Sequence, residues 1–183
     1  MASRTLLQGI KSEGESIAED ISNALEILKQ AMKMEREGRA FYLKAAQATQ
    51  DKRGQEIFLT LADDEKAHLA LLARQYNTLR GRKRWLDLPE VKRTPIGLDK
   101  SIFPKDREAF AEVVTGKSDD LDALRYGLDI ETKSYDLYRR AALETGNSMG
   151  KAMFRFLSGE ELVHFDILMM RYEYLAGPVG WQA

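Results

Sequence analysis

Six side chains of this sequence could together hold a pair of divalent cations: Glu35, Glu65, His68, Glu131, Glu161 and His164. The chain contains only two histidines, and each follows a glutamate by three residues, as Glu65-x-x-His68 and Glu161-x-x-His164. On a helix that spacing puts carboxylate and imidazole on one face, a turn apart, where both reach one cation. Glu35 and Glu131 add two further carboxylates. Four buried carboxylates alone would carry a charge of −4 in a low-dielectric interior, at several kcal/mol per ion, or take up protons until most were neutral. Two divalent cations cancel that charge, and neutral imidazoles donate lone pairs without adding to it. Mixed nitrogen and oxygen donors suit iron, manganese and zinc alike.

These residues must be positioned by helices, and a repeat shows which. The sequence matches itself at an offset of 96: positions 22–79 against 118–175 give 16 identities in 58 pairs without a gap. Glu35, Tyr42, Gly54, Phe58, Leu61, Glu65, His68 and Leu72 each have a twin. Both Glu-x-x-His pairs and both single glutamates therefore occupy equivalent places. The apolar residues around them, such as Phe58, Leu61, Leu72 and Leu79 or Leu121, Leu124 and Leu128, recur at three- and four-residue spacing, the mark of a buried helix face. The expected fold is all-α: a four-helix bundle of two similar hairpins, with helices at about 20–49, 54–80, 118–145 and 150–176. Ser22 and Ser118 are the expected N-caps, and glycines near 81 and 177 the expected stops. A crossover at about 81–117, with a short helix over PKDREAFAEVV, is long enough to run the length of the bundle and set helix three parallel to helix two. Residues 1–183 are read as a single domain.

Composition narrows the function classes. Without cysteine, disulfides, thiolate sites and iron–sulfur clusters are excluded within these residues. A net charge of −1 gives no reason to expect nucleic acid or a membrane surface as partner. The basic cluster RGRKR at 80–84 reads as a solvated helix end. No apolar run approaches a membrane span, and charges interrupt the N-terminal stretch, so residence in the cytoplasm is the expectation.

Several neighbours of the six could assist them. Asp64 and Glu160 each precede a Glu of a Glu-x-x-His pair, placed either to accept the second ring N–H of a histidine across the bundle or to stand in solvent. Tyr42 and Tyr138 lie seven residues after Glu35 and Glu131, on the same face. They could bond a ligand carboxylate, relay an electron, or simply fill the core. Gly38 and Ser134, small in both halves, either leave space for dioxygen or peroxide or permit close packing.

From about Leu25 to Leu175 the chain resembles the rubrerythrin branch of the ferritin-like superfamily. Glu35 and Glu131 match that family's single-helix ligands, and Glu65-x-x-His68 and Glu161-x-x-His164 its paired ones, a ligand set described for di-iron and di-manganese bundles. The resemblance implies two iron ions, with manganese or zinc as possible substitutes. It also implies a non-haem di-iron oxidoreductase, of peroxide reductase or ferroxidase type, that reacts with hydrogen peroxide or dioxygen and assembles as a homodimer. The alternatives are iron storage, or a helical module with a structural metal pair. Rubrerythrin proper carries a four-cysteine rubredoxin-type domain, absent here, so an external electron donor is expected. It also has a further glutamate where this chain has Ser134. The set here is closer to the four-Glu, two-His set shared with bacterioferritin and small oxidases.

Overall fold

The computed structural model describes residues 2–86 and 118–177. Four helices make up the fold: α1 (Ala2–Ala48), α2 (Lys52–Arg82), α3 (Ser118–Glu144) and α4 (Ser148–Ala176). α1 packs chiefly on α2 and α3 chiefly on α4, forming two hairpins; α1 also meets α3, and α2 meets α4. No described helix is long and apolar enough to cross a membrane.

α1 begins at Ala2, not near residue 20, so Ser22 lies inside the helix and caps nothing. No proline precedes it, and a serine acts as a cap only where the helix has another reason to start. At the C-terminus of α2, Gly81 does not stop the chain. The helix runs one residue further and ends on Lys83 in the left-handed region (φ 51°), whose N–H bonds to the Leu79 carbonyl at 3.0 Å. α4 ends at Gly177 (φ 67°), as its glycine suggests. Residues 80–84 are exposed, in keeping with a solvated helix end. Most of the expected crossover, with its short helix, lies outside the described residues.

The repeat extends to the hairpin turns. Asp51 caps α2 by accepting from the Gly54 N–H at 2.6 Å. Its twin Asn147 caps α4 by accepting from Met149 and Gly150 at 3.0 and 3.2 Å. Thr49 and Thr145 accept the backbone N–H of Asp51 and Asn147 in turn. Asp51 also pairs with the guanidinium of Arg171, a buried residue of α4. Asp51→Ala would remove a helix cap and leave a cation buried without its partner. The expected loss is on the order of 3 kcal/mol, or roughly 10 °C in melting temperature for a chain of this size. Thermal denaturation checks this, and Asp51→Asn, which keeps the cap, should recover part of it.

The buried apolar residues form two clusters. One contains Leu28 of α1, Leu72 and Leu79 of α2, Tyr138 of α3, and Phe154 and Leu157 of α4. The other contains Tyr42 of α1, Phe58 and Leu61 of α2, Leu124 of α3 and Leu168 of α4. α1 and α4 pass from the first cluster to the second, while α2 and α3 pass from the second to the first. α3 is thus parallel to α2, as the long crossover requires. On every helix the switch between clusters occurs at the same level, and there the polar residues stand.

Candidate metal centre

Glu35 from α1, Glu65 and His68 from α2, Glu131 from α3, and Glu161 and His164 from α4 occupy the layer between the two apolar clusters. All six are at most 5% exposed. Helix periodicity makes this layer: each glutamate or histidine continues the inward face begun by the leucines and phenylalanines on either side. The structure brings all six together in two sets, Glu35–Glu65–His68–Glu161 and Glu65–Glu131–Glu161–His164. In each set the donor atoms lie within 4.8 Å of one another.

The two histidines organise the sets. His68 Nδ1 stands 3.5 Å from Glu35 Oε2, 3.6 Å from Glu65 Oε2 and 3.3 Å from Glu161 Oε1. His164 Nδ1 stands 3.7 Å from Glu65 Oε1, 3.6 Å from Glu131 Oε2 and 3.7 Å from Glu161 Oε2. Glu65 and Glu161 therefore offer one oxygen to each set, while Glu35 and Glu131 belong to one set each. The imidazole rings lie 5.5 Å apart at an interplanar angle of 23°.

Charge crowding perturbs these groups. Burial, followed by the charges of Glu35 and Glu161, holds the Glu65 carboxyl well above its ordinary range. Burial raises Glu131 to about 8 against the opposing pull of His164. Burial also acts to raise Glu161, but the facing imidazoles of His164 and His68 outweigh it and hold this carboxyl low. For His68, burial pulls downward and the facing Glu161, Glu35 and Glu65 prevail, raising it. His164 behaves likewise, with Asp64, Glu131 and Glu161 raising it.

A metal pair fits this layer by a test internal to the structure. Buried polar groups are ordinarily hydrogen-bonded, yet Glu35 Oε2, Glu131 Oε2, both Glu161 oxygens, His68 Nδ1 and His164 Nδ1 have no hydrogen-bond partner. These are the atoms that face one another. Unsatisfied lone pairs converging from four helices, with a formal −4 among them, could hold two divalent cations.

The outer oxygens of the single glutamates are satisfied across the bundle. Tyr42 of α1 donates its hydroxyl to Glu131 Oε1 of α3, and Tyr138 of α3 donates to Glu35 Oε1 of α1. Each phenol thus serves the other hairpin's carboxylate and leaves the second oxygen to point inward. Burial and the nearby carboxylates push both phenols upward, so they stay protonated as donors. Tyr42→Phe or Tyr138→Phe should keep the fold but weaken metal affinity roughly 10- to 100-fold, the usual effect of losing an outer partner. Competition with a chelator measures it.

Asp64 and Glu160 separate. Asp64 Oδ2 lies 3.5 Å from His164 Nε2, a charge approach without a formed hydrogen bond. Glu160, half-buried, makes no such approach to His68 among the described residues. Ser134 is buried. Gly38 is buried too, and a Cβ built there would lie 3.6 Å from Glu65 Oε1. Sequence reasoning misses two buried polar residues, Gln75 and Arg171. They are twins at the same offset, and the signal that could find them is a polar residue on an otherwise apolar seam.

A family model described as Rubrerythrin matches residues 26–172, a span that contains all six residues. No curated protein matches the chain. A solved structure, that of a hypothetical protein (Pfu-1136390-001) from Pyrococcus furiosus, is similar with a TM-score of 0.62 and 24% identity, covering 87% of this chain and 92% of that one. That likeness speaks to the fold alone.

Proposed function

Because the chain belongs to the rubrerythrin family, we propose that the buried layer holds two iron ions and that the protein is an oxidoreductase, reducing hydrogen peroxide or dioxygen with electrons from an external donor. The carrying observation is the shared pair Glu65 and Glu161, whose oxygens divide between two donor sets. Two ions held in one layer could supply the two electrons that H2O2 takes with two protons to give two waters, or that O2 takes with two protons to give H2O2. Bound iron would supply one electron from each ion.

The chain's own residues set the conditions for that chemistry. Glu65 and Glu161 would hold the ions side by side, with Glu35 and His68 completing one end and Glu131 and His164 the other. Tyr42 and Tyr138 restrain the single glutamates through their outer oxygens, so these carboxylates keep one oxygen turned inward. Asp64 sets its carboxylate beside the outer nitrogen of His164. Leu61, Leu72, Leu157 and Leu168, all fully buried, exclude bulk water above and below the layer, which strengthens each electrostatic contact within it.

The test is to load the metal-free protein anaerobically with two equivalents of ferrous iron and follow peroxide or dioxygen consumption on the same sample. Stoichiometric consumption supports the reading. Protein that retains both ions and leaves both oxidants untouched favours a structural metal pair. Size-exclusion chromatography addresses iron storage, which requires a hollow assembly of many subunits; the expected species is a homodimer.

A further inference from the structure

A layer sealed between two apolar clusters needs a way in for its small reactant, and one wall is thin. On the outside of the α1–α3 seam lies a groove of about 180 Å³. Met34, Phe41 and Ile130 give it an apolar lining, and Gly38 forms part of its wall. Exposed Tyr126 leans on Phe41, ring centroids 4.8 Å apart, along one side. The Asp129–Lys133 ion pair, at 2.5 Å, bounds another.

Behind Gly38 stands the candidate metal layer. A Cβ at this position would meet Glu65 Oε1 at 3.6 Å, Glu65 Cδ at 3.7 Å and Ile130 Cγ2 at 3.6 Å. The missing side chain is thus the only thickness that residue 38 could put between groove and shared carboxylate. A mid-helix glycine is unfavourable by roughly 0.5–1 kcal/mol relative to alanine, and its backbone here is ordinary helix with no left-handed angle to require it. Nor does close packing demand it, since the three contacts are at ordinary van der Waals distance. The twin position holds Ser134, a side chain that is buried, so the two faces of the bundle are not equivalent.

Resting on the di-metal reading above, we propose that the α1–α3 groove is the access port for a small uncharged oxidant, hydrogen peroxide or dioxygen, and that Gly38 is its gate residue, giving the reactant a path to the Glu65 side of the centre. The lining mixes apolar Met34, Phe41 and Ile130 with the charged Glu37, Asp129 and Lys133, and its size suits small neutral molecules.

The experiment compares wild type with Gly38→Ala and Gly38→Val, all loaded with two ferrous ions. Stopped-flow mixing with nitric oxide, a neutral probe that binds ferrous iron without turnover, reads access directly; mixing with peroxide reads it through oxidation. Gly38→Val is expected to slow both by at least tenfold and Gly38→Ala by less, with iron content retained in each and the melting temperature of Gly38→Ala unchanged or higher. Krypton-pressurised crystals of metal-free protein should show gas beside residue 38 in wild type and not in Gly38→Val. Nitric oxide binding at the wild-type rate in Gly38→Val, with iron retained, overturns the port. Should Gly38→Val fail to fold, Gly38→Ala and Ile130→Trp, which narrows the groove from α3, carry the same comparison. Wild type that binds nitric oxide but ignores both oxidants overturns the proposed oxidoreductase reading and leaves the port to be decided by the nitric oxide rates.

Discussion

Glu161→Gln is expected to empty both halves of the metal layer together, whereas Glu35→Gln should weaken only one. Glu161 Oε1 faces His68 Nδ1 at 3.3 Å, and its Oε2 faces His164 Nδ1 at 3.7 Å. Among the described residues only Glu65 also divides its oxygens in this way. The amide keeps the volume but loses the charge and turns one lone-pair oxygen into a donor. That change acts on two ions at once, so its effect should exceed the roughly 10- to 100-fold typical of an outer partner. Metal analysis after dialysis should find about two ions per chain in the wild type, under about half an ion in Glu161→Gln and Glu65→Gln, and about one in Glu35→Gln, a ratio that follows from charge neutralisation by shared carboxylates. Two firmly held ions in Glu161→Gln would remove the shared-carboxylate description.

The second large effect concerns stability of the metal-free protein, which should fall as pH rises from about 5 to about 8. Glu131 is ordinarily a carboxyl of 4.5 and is raised by burial to about 8 in the fold. Across that window the folded chain keeps a proton that the unfolded chain has lost, so stability present below 4.5 drains away as pH approaches 8. Glu65 shifts in the same direction through burial and its neighbours Glu35 and Glu161. His68 and His164 are also raised, so their contribution is complete below 6.5 and is lost as pH climbs through the folded values. Glu161, held low, has the opposite sign: its contribution is present above 4.5 and is lost only in acid, outside the window. The melting temperature of metal-free protein should therefore drop on the order of 10 °C between pH 5 and pH 8. Metal-loaded protein should melt higher and without that fall, because the cations replace the protons. For the same reason, metal uptake should release protons, measurable as a buffer-dependent heat of binding. A metal-free protein that grows more stable toward pH 8 would contradict the charge crowding in this layer.

Much of this arrangement can be read from residue spacing because the repeat doubles every signal. Each Glu-x-x-His pair certifies the other, and leucines at matching places mark the inward face of all four helices. What spacing along one helix cannot reveal is which side chain meets which across the bundle. Tyr42 shares a face with Glu35, yet its hydroxyl reaches Glu131, because two turns of helix separate it from its own neighbour while α3 lies alongside. Asp64 and Glu160 occupy equivalent positions, but among the described residues only the aspartate of the two approaches a histidine, a difference that the repeat hides. Spacing places the start of α3 at residue 118, where it lies, but misplaces the other three starts for a related reason. Asp51 and Asn147 have the chemistry of caps, but the following glycines suggest a later start, and the caps show themselves only through the bonds accepted from residues two or three ahead. At Ser22, a residue suited to a cap simply lies within a helix that nothing upstream interrupts.

Each hairpin contributes three of the six donors: Glu35, Glu65 and His68 from one, Glu131, Glu161 and His164 from the other. Neither can close a dinuclear site by itself, but two copies of either, related by a twofold axis through the layer, would supply the full complement. The present sequence therefore has the form of such a symmetric pair fused head to tail. A single chain can differ between its halves, and the asymmetries at Gly38/Ser134, Gln75/Arg171 and Asp64/Glu160 are ones that a strictly symmetric pair cannot hold.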